Sequence, residues 1–415
     1  MNKLLVIADD YTGALDTGVQ FSKKGVSTLV LTLPQLSGNG IAGVDCDNYE
    51  VLVVDTESRH IPVKEAHDTV FKLATDARAN GFRHFYKKID SALRGNIGAE
   101  LSGLLNAGDG LCLTFVPAYP KSRRVTRNGI HYIDGVEVGQ SVFAKDPFSP
   151  VLHSSVADII RTQSDVCIES IRSDSYAKAA LQPGEKTLRV LDAESMDDIK
   201  ALGACLKRSG NLELFAGCAG FAEILPTLLD LPKRDLDWEE KADNILVISG
   251  SMNPITAEQL AYGKELGFSF FTFSPEHVLN PEYAGSAECG AFVQDIAGEL
   301  KRNRRVIVGA VPDVLNRNVS GNGSSRLVAD NIGKITGQIL ASVNVGCLVV
   351  FGGDTLYSVL SKMHCTGVIP MAEVATGVVA SKILSGRDDC VIITKSGGLG
   401  DRDVLGHIEQ FILGK

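Results

Sequence analysis

Short apolar runs rich in β-branched residues alternate along the chain with stretches in which apolar residues recur at helical spacing. The runs are Leu4 to Ala8, Val51 to Val54, Leu113 to Val116, Ile245 to Ile248, Val306 to Val308, Leu348 to Phe351 and Val391 to Thr394. A run that is apolar without alternation predicts a strand covered on both faces, as in a parallel sheet. The first run is followed by an amphipathic stretch from Thr12 to Lys24 that Gly25 terminates, which predicts a helix. Repeated strand and helix predict an α/β fold built from largely parallel sheets flanked by helices.

The alternation breaks over Asp230 to Asn244, which carries Pro232, a charge cluster and the only tryptophan, Trp238. That composition marks an interdomain connection. At 415 residues the chain also exceeds what one core usually organises. Two domains follow, 1–235 and 236–415, with an active site in the cleft between them and closure about the connection. Ser320 to Ser325, rich in Gly, Ser and Asn, reads as a loop.

Three strands of the second domain run directly into glycine-bearing loops. Ile245 to Ile248 leads to Ser249-Gly250-Ser251-Met252-Asn253-Pro254, where Asn253 and Pro254 suit the N-cap and first position of a helix over Ile255 to Leu266. Leu348 to Phe351 leads to Gly352-Gly353-Asp354-Thr355, and Val391 to Thr394 leads to Lys395-Ser396-Gly397-Gly398-Leu399-Gly400-Asp401. A strand-loop-helix turn aims backbone N–H groups and the positive end of the helix dipole at one point, and glycine lets an anion come close. Three such loops at the carboxyl ends of strands can converge on one phosphate-binding crevice. No Walker A sequence is present, so Lys395 is the candidate substitute charge. Gly38 to Gly43 matches G-x-G-x-x-G but is followed by acidic residues and a strand, which excludes a dinucleotide fingerprint.

Charges in the first domain cluster where strands end. Asp9 and Asp10 close the first strand just before Thr12-Gly13, and one of them either caps the helix or accepts hydrogen bonds from ligand hydroxyls. Asp55-Thr56-Glu57-Ser58-Arg59 follows another buried run, and Lys87 to Asn96 precedes a helix whose apolar face holds Ile97, Leu101, Leu104 and Leu105. Arg59, Lys88 and Arg94 together match a carboxylate, arginine as a planar fork and lysine as a point charge.

Composition narrows the classes. Apolar residues make up 44% and charged residues 22%, a globular balance. A formal net charge of -9 argues against nucleic acid or an anionic membrane as partner. No segment approaches the roughly 20 apolar residues of a membrane span, and Met1 to Asp10 is too short in its apolar part for a signal peptide. Nine cysteines without a Cys-x-x-Cys pair read as reduced thiols, so the expected compartment is the cytoplasm.

In order, these residues resemble the four-carbon acid sugar kinase family over essentially the whole chain. The resemblance rests on Ile7 to Ala14, Lys87 to Asn96, Val116 to Pro120, Asp146 to Val151, Gly250 to Pro254, Gly352 to Thr355 and Thr394 to Gly400. It implies ATP-dependent phosphorylation of a terminal hydroxyl on threonate, erythronate or a 3-oxo-tetronate, with Mg2+ accompanying the nucleotide and its protein ligands unknown. Asp9, Asp10, Arg59, Lys88, Ile89, Asp90, Ser91 and Arg94 then contact the sugar acid. Ser251, Gly352, Gly353, Asp354, Thr355, Gly397, Gly398, Leu399 and Gly400 contact ATP, with Asp354 also the candidate general base. One departure follows Pro120, where the family's Gly-Arg-Thr-Thr run is Arg123-Arg124-Val125-Thr126 and has lost its glycine. A sugar-acid isomerase or aldolase, or a two-domain ligand sensor, remains as an alternative, and a homo-oligomer stays open.

Overall fold

The run Leu4–Ala8 forms β1, in which every residue is buried. In the computed structural model, all residues are described except 1, 2, 37, 39, 147, 236–240, 252, 311–321, 385–389, 397 and 415. Contacts divide the chain into two units, 1–236 and 237–415.

In the first unit β1 is joined by β2 (Thr28–Thr32), β3 (Val51–Asp55), β4 (His84–Lys88) and β5 (Cys112–Val116). A separate antiparallel sheet of β6 (Arg124–Arg127), β7 (Ile130–Ile133) and β8 (Val136–Glu137) follows. The chain then adds β9 (Cys167–Ile171), β10 (Thr187–Leu191) and β11 (Leu214–Gly217) to the main sheet. Its order is β2-β3-β1-β4-β11-β5-β10-β9, parallel throughout. The register puts Ala8 beside Asp55 on one side and Lys88 on the other, so the segments after β1, β3 and β4 leave the sheet at one edge.

The helix Ile97–Ala107 buries Ile97, Leu101, Leu104 and Leu105, and its other face is buried as well, including Glu100. The reason is a second covering helix, Val63–Ala79. A Cβ at Gly103 would stand 2.6 Å from the His67 carbonyl oxygen, so only glycine permits that approach.

The second unit contains β12 (Ile245–Ser249), β13 (Ser269–Phe273), β14 (Arg305–Ala310), β15 (Cys347–Phe351), β16 (Gly367–Ala375), β17 (Val378–Leu384) and β18 (Val391–Lys395). The order β13-β14-β12-β15-β18 is parallel, and the hairpin β16-β17 is antiparallel and joins at β18. Val247, Ile307, Val349, Ile393, Leu405 and Ile408 lie in one buried apolar cluster. Ser249, Phe351 and Lys395 are register partners, so β12, β15 and β18 end together.

The α/β expectation holds in both units, with strands buried on both faces wherever the sequence shows an unbroken apolar run. One local expectation is corrected. Residues 322–325 of the stretch read as a loop belong to the helix Asn322–Ser342, and 320 and 321 lie outside the described residues. Asn, Gly and Ser are at home in loops and also at the start of a helix, so composition alone does not separate the two. Gly40–Gly43 of the rejected fingerprint forms a single 3-10 turn. Cys112, Cys218, Cys289, Cys347, Cys365 and Cys390 are buried, Cys167 is exposed, and all nine thiols are free. Among the described residues no helix is long and apolar enough to cross a membrane.

Candidate functional site

In the first unit the site grows from the end of β1. Asp10 is extended and caps the helix Tyr11–Ser22, accepting from the Gly13 N–H at 3.0 Å and from the Thr12 hydroxyl at 2.9 Å. The capping role belongs to Asp10, and Asp9 turns inward, where its carboxylate is 1% exposed. Arg59 reaches both. Its Nε donates to Asp9 Oδ2 at 2.7 Å, its Nη2 lies 2.9 Å from Asp10 Oδ1, and the same nitrogen is 3.8 Å from Asp90 Oδ1. The turn Ser58–His60 that carries Arg59 follows β3, and the Arg59 N–H donates to the Asp9 carbonyl at 3.3 Å. Asp9 Oδ1 has no hydrogen-bond partner among the described residues.

Burial opposes the charge on Asp10, but Arg59 and then Lys88 outweigh it and hold the carboxyl below its ordinary value. Lys88 is buried too, and Asp10 and Asp9 overcome that burial to hold its ammonium above the usual lysine value. A Cβ on Gly13 would stand 2.6 Å from Lys88 Nζ, so the helix start is kept bare to admit the lysine.

Asp90 organises the loop after β4. Its Oδ2 accepts from the Ala92 N–H at 3.1 Å, the Arg94 N–H at 3.3 Å and Arg94 Nε at 2.9 Å, while Oδ1 accepts from Arg94 Nη2 at 3.0 Å. Arg94 Nη1 continues to Asp146 Oδ2 at 3.1 Å. Against its burial, Arg94 and Arg59 hold Asp90 well below the usual carboxylate range. Ile89 is fully buried, and Ser91 is half-buried with its carbonyl accepting from His131 Nε2 at 3.0 Å. Beneath this loop Lys87 Nζ pairs with Glu100 Oε2 at 3.1 Å, Ser58 donates to Glu100 Oε1, and Asn96 Nδ2 donates to the Ser58 and Ile61 carbonyls at 2.9 and 2.8 Å. These buried polar contacts tie the loops after β3 and β4 together.

The small sheet β6-β7-β8 flanks the same loop. Arg123, standing where the family pattern has glycine, adopts φ +55°, so the backbone keeps a path that glycine takes without strain. Its side chain is exposed and pairs with Asp134 at 2.8 Å. Arg124 points inward and is 8% exposed. His131 is fully buried between Thr126 Oγ1, at 3.1 Å from Nδ1, and the Ser91 carbonyl, and burial pushes its imidazole down to about 4.

In the second unit three loops meet. Asn253 caps the helix Pro254–Glu265 by accepting from the Ile255 N–H at 3.1 Å, and Ser251 Oγ lies 3.1 Å from Thr256 Oγ1. Gly352 has φ +102°, which only glycine takes freely, and it begins the helix Gly353–Lys362. Its N–H donates to the Lys395 carbonyl at 3.2 Å, joining the second loop to the third. A Cβ on Gly352 would lie 3.7 Å from both Ser251 Cβ and Thr355 Oγ1, and one on Gly398 would lie 3.6 Å from Asn253 Nδ2. Gln259 Nε2 donates to the Gly400 and Asp401 carbonyls at 3.0 Å each and to the Leu399 carbonyl at 3.4 Å. Two helix N-termini and a positive-φ glycine therefore face one place, a geometry suited to phosphates.

The structure brings Asp9, Asp10, Arg59, Lys88, Asp90 and Arg94 into one cluster, with Ile89 as buried support and Ser91 alongside. Of the three cations expected to match a carboxylate, Arg59 and Arg94 are tied to aspartates as well. Ser251, Gly352, Gly353, Thr355, Gly398, Leu399 and Gly400 gather in the second unit, and Gly397 lies outside the described residues. So do Met252 and Pro147 of the quoted motifs and 236–240 of the connection. Asp354 is exposed on the first turn of its helix and is not the cap, which is Gly352. Lys395 is fully buried, donates to Thr256 Oγ1 at 3.2 Å, lies 5.2 Å from the centre of the Phe351 ring, and is pushed by burial down to about 7. His131 and the Lys87–Glu100 pair escaped the sequence reading because their partners are 40 and 13 positions away. The only hint was the unusual His and Glu inside otherwise apolar patterns.

A family model described as a sugar-binding N-terminal domain matches residues 4–225, and one described as a nucleotide-binding C-terminal domain matches residues 246–405. A D-threonate kinase from Salmonella typhimurium is 27% identical, covering 99% of this chain and 100% of its own. A D-erythronate kinase from Heliobacterium modesticaldum is 26% identical, covering 100% and 98%. A 3-oxo-tetronate kinase from Cupriavidus necator is 28% identical, covering 96% and 94%. Among solved structures, one described as a tRNA synthase from Salmonella typhimurium LT2 gives a TM-score of 0.82 at 20% identity, covering 99% and 100%. A Haemophilus influenzae protein gives 0.71 at 21%, with the same coverage. At such identities these two speak for the fold alone.

Proposed function

The chain belongs to the family built from a sugar-binding N-terminal domain and a nucleotide-binding C-terminal domain, and from that premise we propose that it is an ATP-dependent kinase acting on the terminal hydroxyl of a four-carbon acid sugar. The observation that carries the proposal is the coexistence in one chain of two complementary sites. One is a buried cluster of carboxylates and cations in which Asp9 Oδ1 is an acceptor with no partner among the described residues, and the other is a set of glycine loops gathered at strand ends. The relatives' names supply the substrate class, D-threonate, D-erythronate or 3-oxo-tetronate.

Polyols and hydroxy acids need acceptors in a dry site, where an unmatched hydroxyl is costly. Asp9 Oδ1 offers one, and Asp90, held ionised by Arg94 and Arg59, offers another. Ser91 and Lys88 line the same loop and complete the substrate contacts.

Ser251, Gly352 to Thr355 and Gly398 to Gly400 bind the ATP phosphates through backbone N–H groups and hydroxyls. The donor set fits a nucleotide that brings its own Mg2+: among the described residues no three His, Cys, Asp or Glu side chains group as a metal cage, and Mg2+ commonly needs only one or two carboxylates beside the phosphates. When bound, the ion neutralises charge on the transferred phosphoryl group. Asp354, exposed at the mouth of the loops, is the residue assigned to accept the hydroxyl proton or to contact that ion.

A coupled ADP-release screen across four-carbon acids tests the proposal. ADP release dependent on a tetronate is expected; ATP binding with no release for any of them would refute it.

A further inference from the structure

We infer that Arg124 is the residue that receives the substrate carboxylate, an inference that rests on the acid-sugar reading above. The starting observation is a mismatch of charge. The other guanidiniums of the cluster are in direct ion pairs, Arg59 with Asp9 and Asp10 and Arg94 with Asp90 and Asp146, Lys87 pairs with Glu100, and Lys88 is held charged by Asp10 and Asp9. Arg124 is 8% exposed, its Nε has no partner, and its guanidinium makes no hydrogen bond or ion pair among the described residues.

A buried guanidinium with an acid nearby but no direct hydrogen bond to it leaves much of its desolvation cost unrecovered. The fold nevertheless aims it inward. Arg123 takes the left-handed turn and sends its own side chain out to Asp134, after which Arg124 and Thr126 face in and are buried while Arg127 faces out. The Arg124 backbone is pinned at both its N–H and its carbonyl, 3.2 and 2.8 Å from Tyr119.

The location is the substrate loop. The charge of Arg124 is felt at Asp90, where it favours the carboxylate, and at His131, which holds the Ser91 carbonyl. Phe143 holds both guanidiniums near its ring, Arg94 at 5.2 Å and Arg124 at 5.8 Å from the centroid. A fork of donors so held suits a planar carboxylate in two-point contact, and lysine would offer only a point charge. Arg59 and Arg94 then set the ionised aspartates that meet hydroxyls, and Arg124 meets the acid.

The test compares the intact chain with Arg124→Gln, Arg124→Lys and Arg124→Ala by calorimetric titration of D-threonate, D-erythronate and the neutral tetritols, beside ADP release with the same compounds. Loss of a two-point charge-assisted contact predicts a fall of about 30- to 100-fold in affinity for the acid, with ATP and tetritol affinities changed less than about threefold. Arg124→Lys, which keeps charge and folding, is expected to recover only part of the loss, and added guanidinium ion to restore acid binding to Arg124→Ala. Unchanged acid affinity in both Arg124→Gln and Arg124→Lys overturns the inference and leaves the kinase reading intact. Tetronate binding that depends on Arg124 without any ADP release overturns the kinase reading and supports the inference. Absence of tetronate binding to the unaltered chain overturns both.

Discussion

Replacing Arg59 by methionine removes the cation on which Asp9 and Asp10 converge. The site is dry: side-chain exposure is 11% for Arg59 and 1% for Asp9, rising to 20% for Asp10. Breaking a buried pair by deleting one partner costs about 3–5 kcal/mol, and the partial exposure of Asp10 places this case toward the lower end, about 3 kcal/mol. The pH dependence carries the sharper signature. In the unaltered chain the Asp10 carboxyl lies below its ordinary 3.8, so its stabilisation is complete above that value and is lost as pH falls through the depressed one. Without Arg59, burial, already the largest influence on Asp10, is opposed mainly by Lys88, and the carboxyl moves upward. The folded variant then holds a proton that the unfolded chain releases, so acidification from neutral pH narrows its deficit, at up to about 1.4 kcal/mol per pH unit for each carboxyl affected. Denaturant unfolding of both proteins across roughly pH 4.5 to 7.5 reads this directly. Adding Asp9→Asn to Arg59→Met should recover part of the loss by removing an unpaired charge. A deficit under about 1 kcal/mol, or one that does not change with pH, would refute the reasoning.

His131 gives a separate acid-side signal. Its folded value of about 4 lies below the ordinary 6.5, so between those values the unfolded chain binds the proton and stability falls on acidification, by up to about 3 kcal/mol. His131→Gln should flatten that slope in the same unfolding series, and parallel curves would count against a buried neutral imidazole. Asp354→Asn should lower kcat by about 100-fold or more with little change in ATP affinity, as removal of a positioned acceptor does. Near-normal turnover in a steady-state assay would take the proton-accepting role away from Asp354.

Much of the candidate site is legible in the sequence. Asn253 and Pro254 announced a helix start that the structure reproduces at Pro254, because capping is decided by two or three adjacent residues. Asp10 was legible in the same way, as one of two aspartates before Thr12-Gly13. The partners of Arg59, Lys88 and Arg94 are not legible in the sequence. Their charges match a carboxylate, and the ion pairs they also make are long-range: Arg59 gives two nitrogens to aspartates 50 and 49 positions away and Arg94 gives one to Asp146, 52 positions away. In the sequence Arg124 is only a family position, and its lack of a direct partner among the described residues is a property of its surroundings.

The sequence alone determined the strands, the helices that follow them and the places where glycine and charge accumulate, since apolar periodicity, caps and turn residues act over a few neighbouring positions. Tertiary structure alone decided which strands are neighbours, and with that which charges neutralise each other. β3 and β4 flank β1, so Arg59 and Asp90 arrive beside Asp9 and Asp10. β12, β15 and β18 lie side by side, so three separate glycine loops become one. Coulomb and hydrogen-bond energies depend on distance through space, and burial sharpens that dependence by lowering the local dielectric. The partner of a buried charge is therefore read from strand order and register, and Arg124 stands out because, among the described residues, that order leaves its guanidinium without a direct hydrogen bond or ion pair.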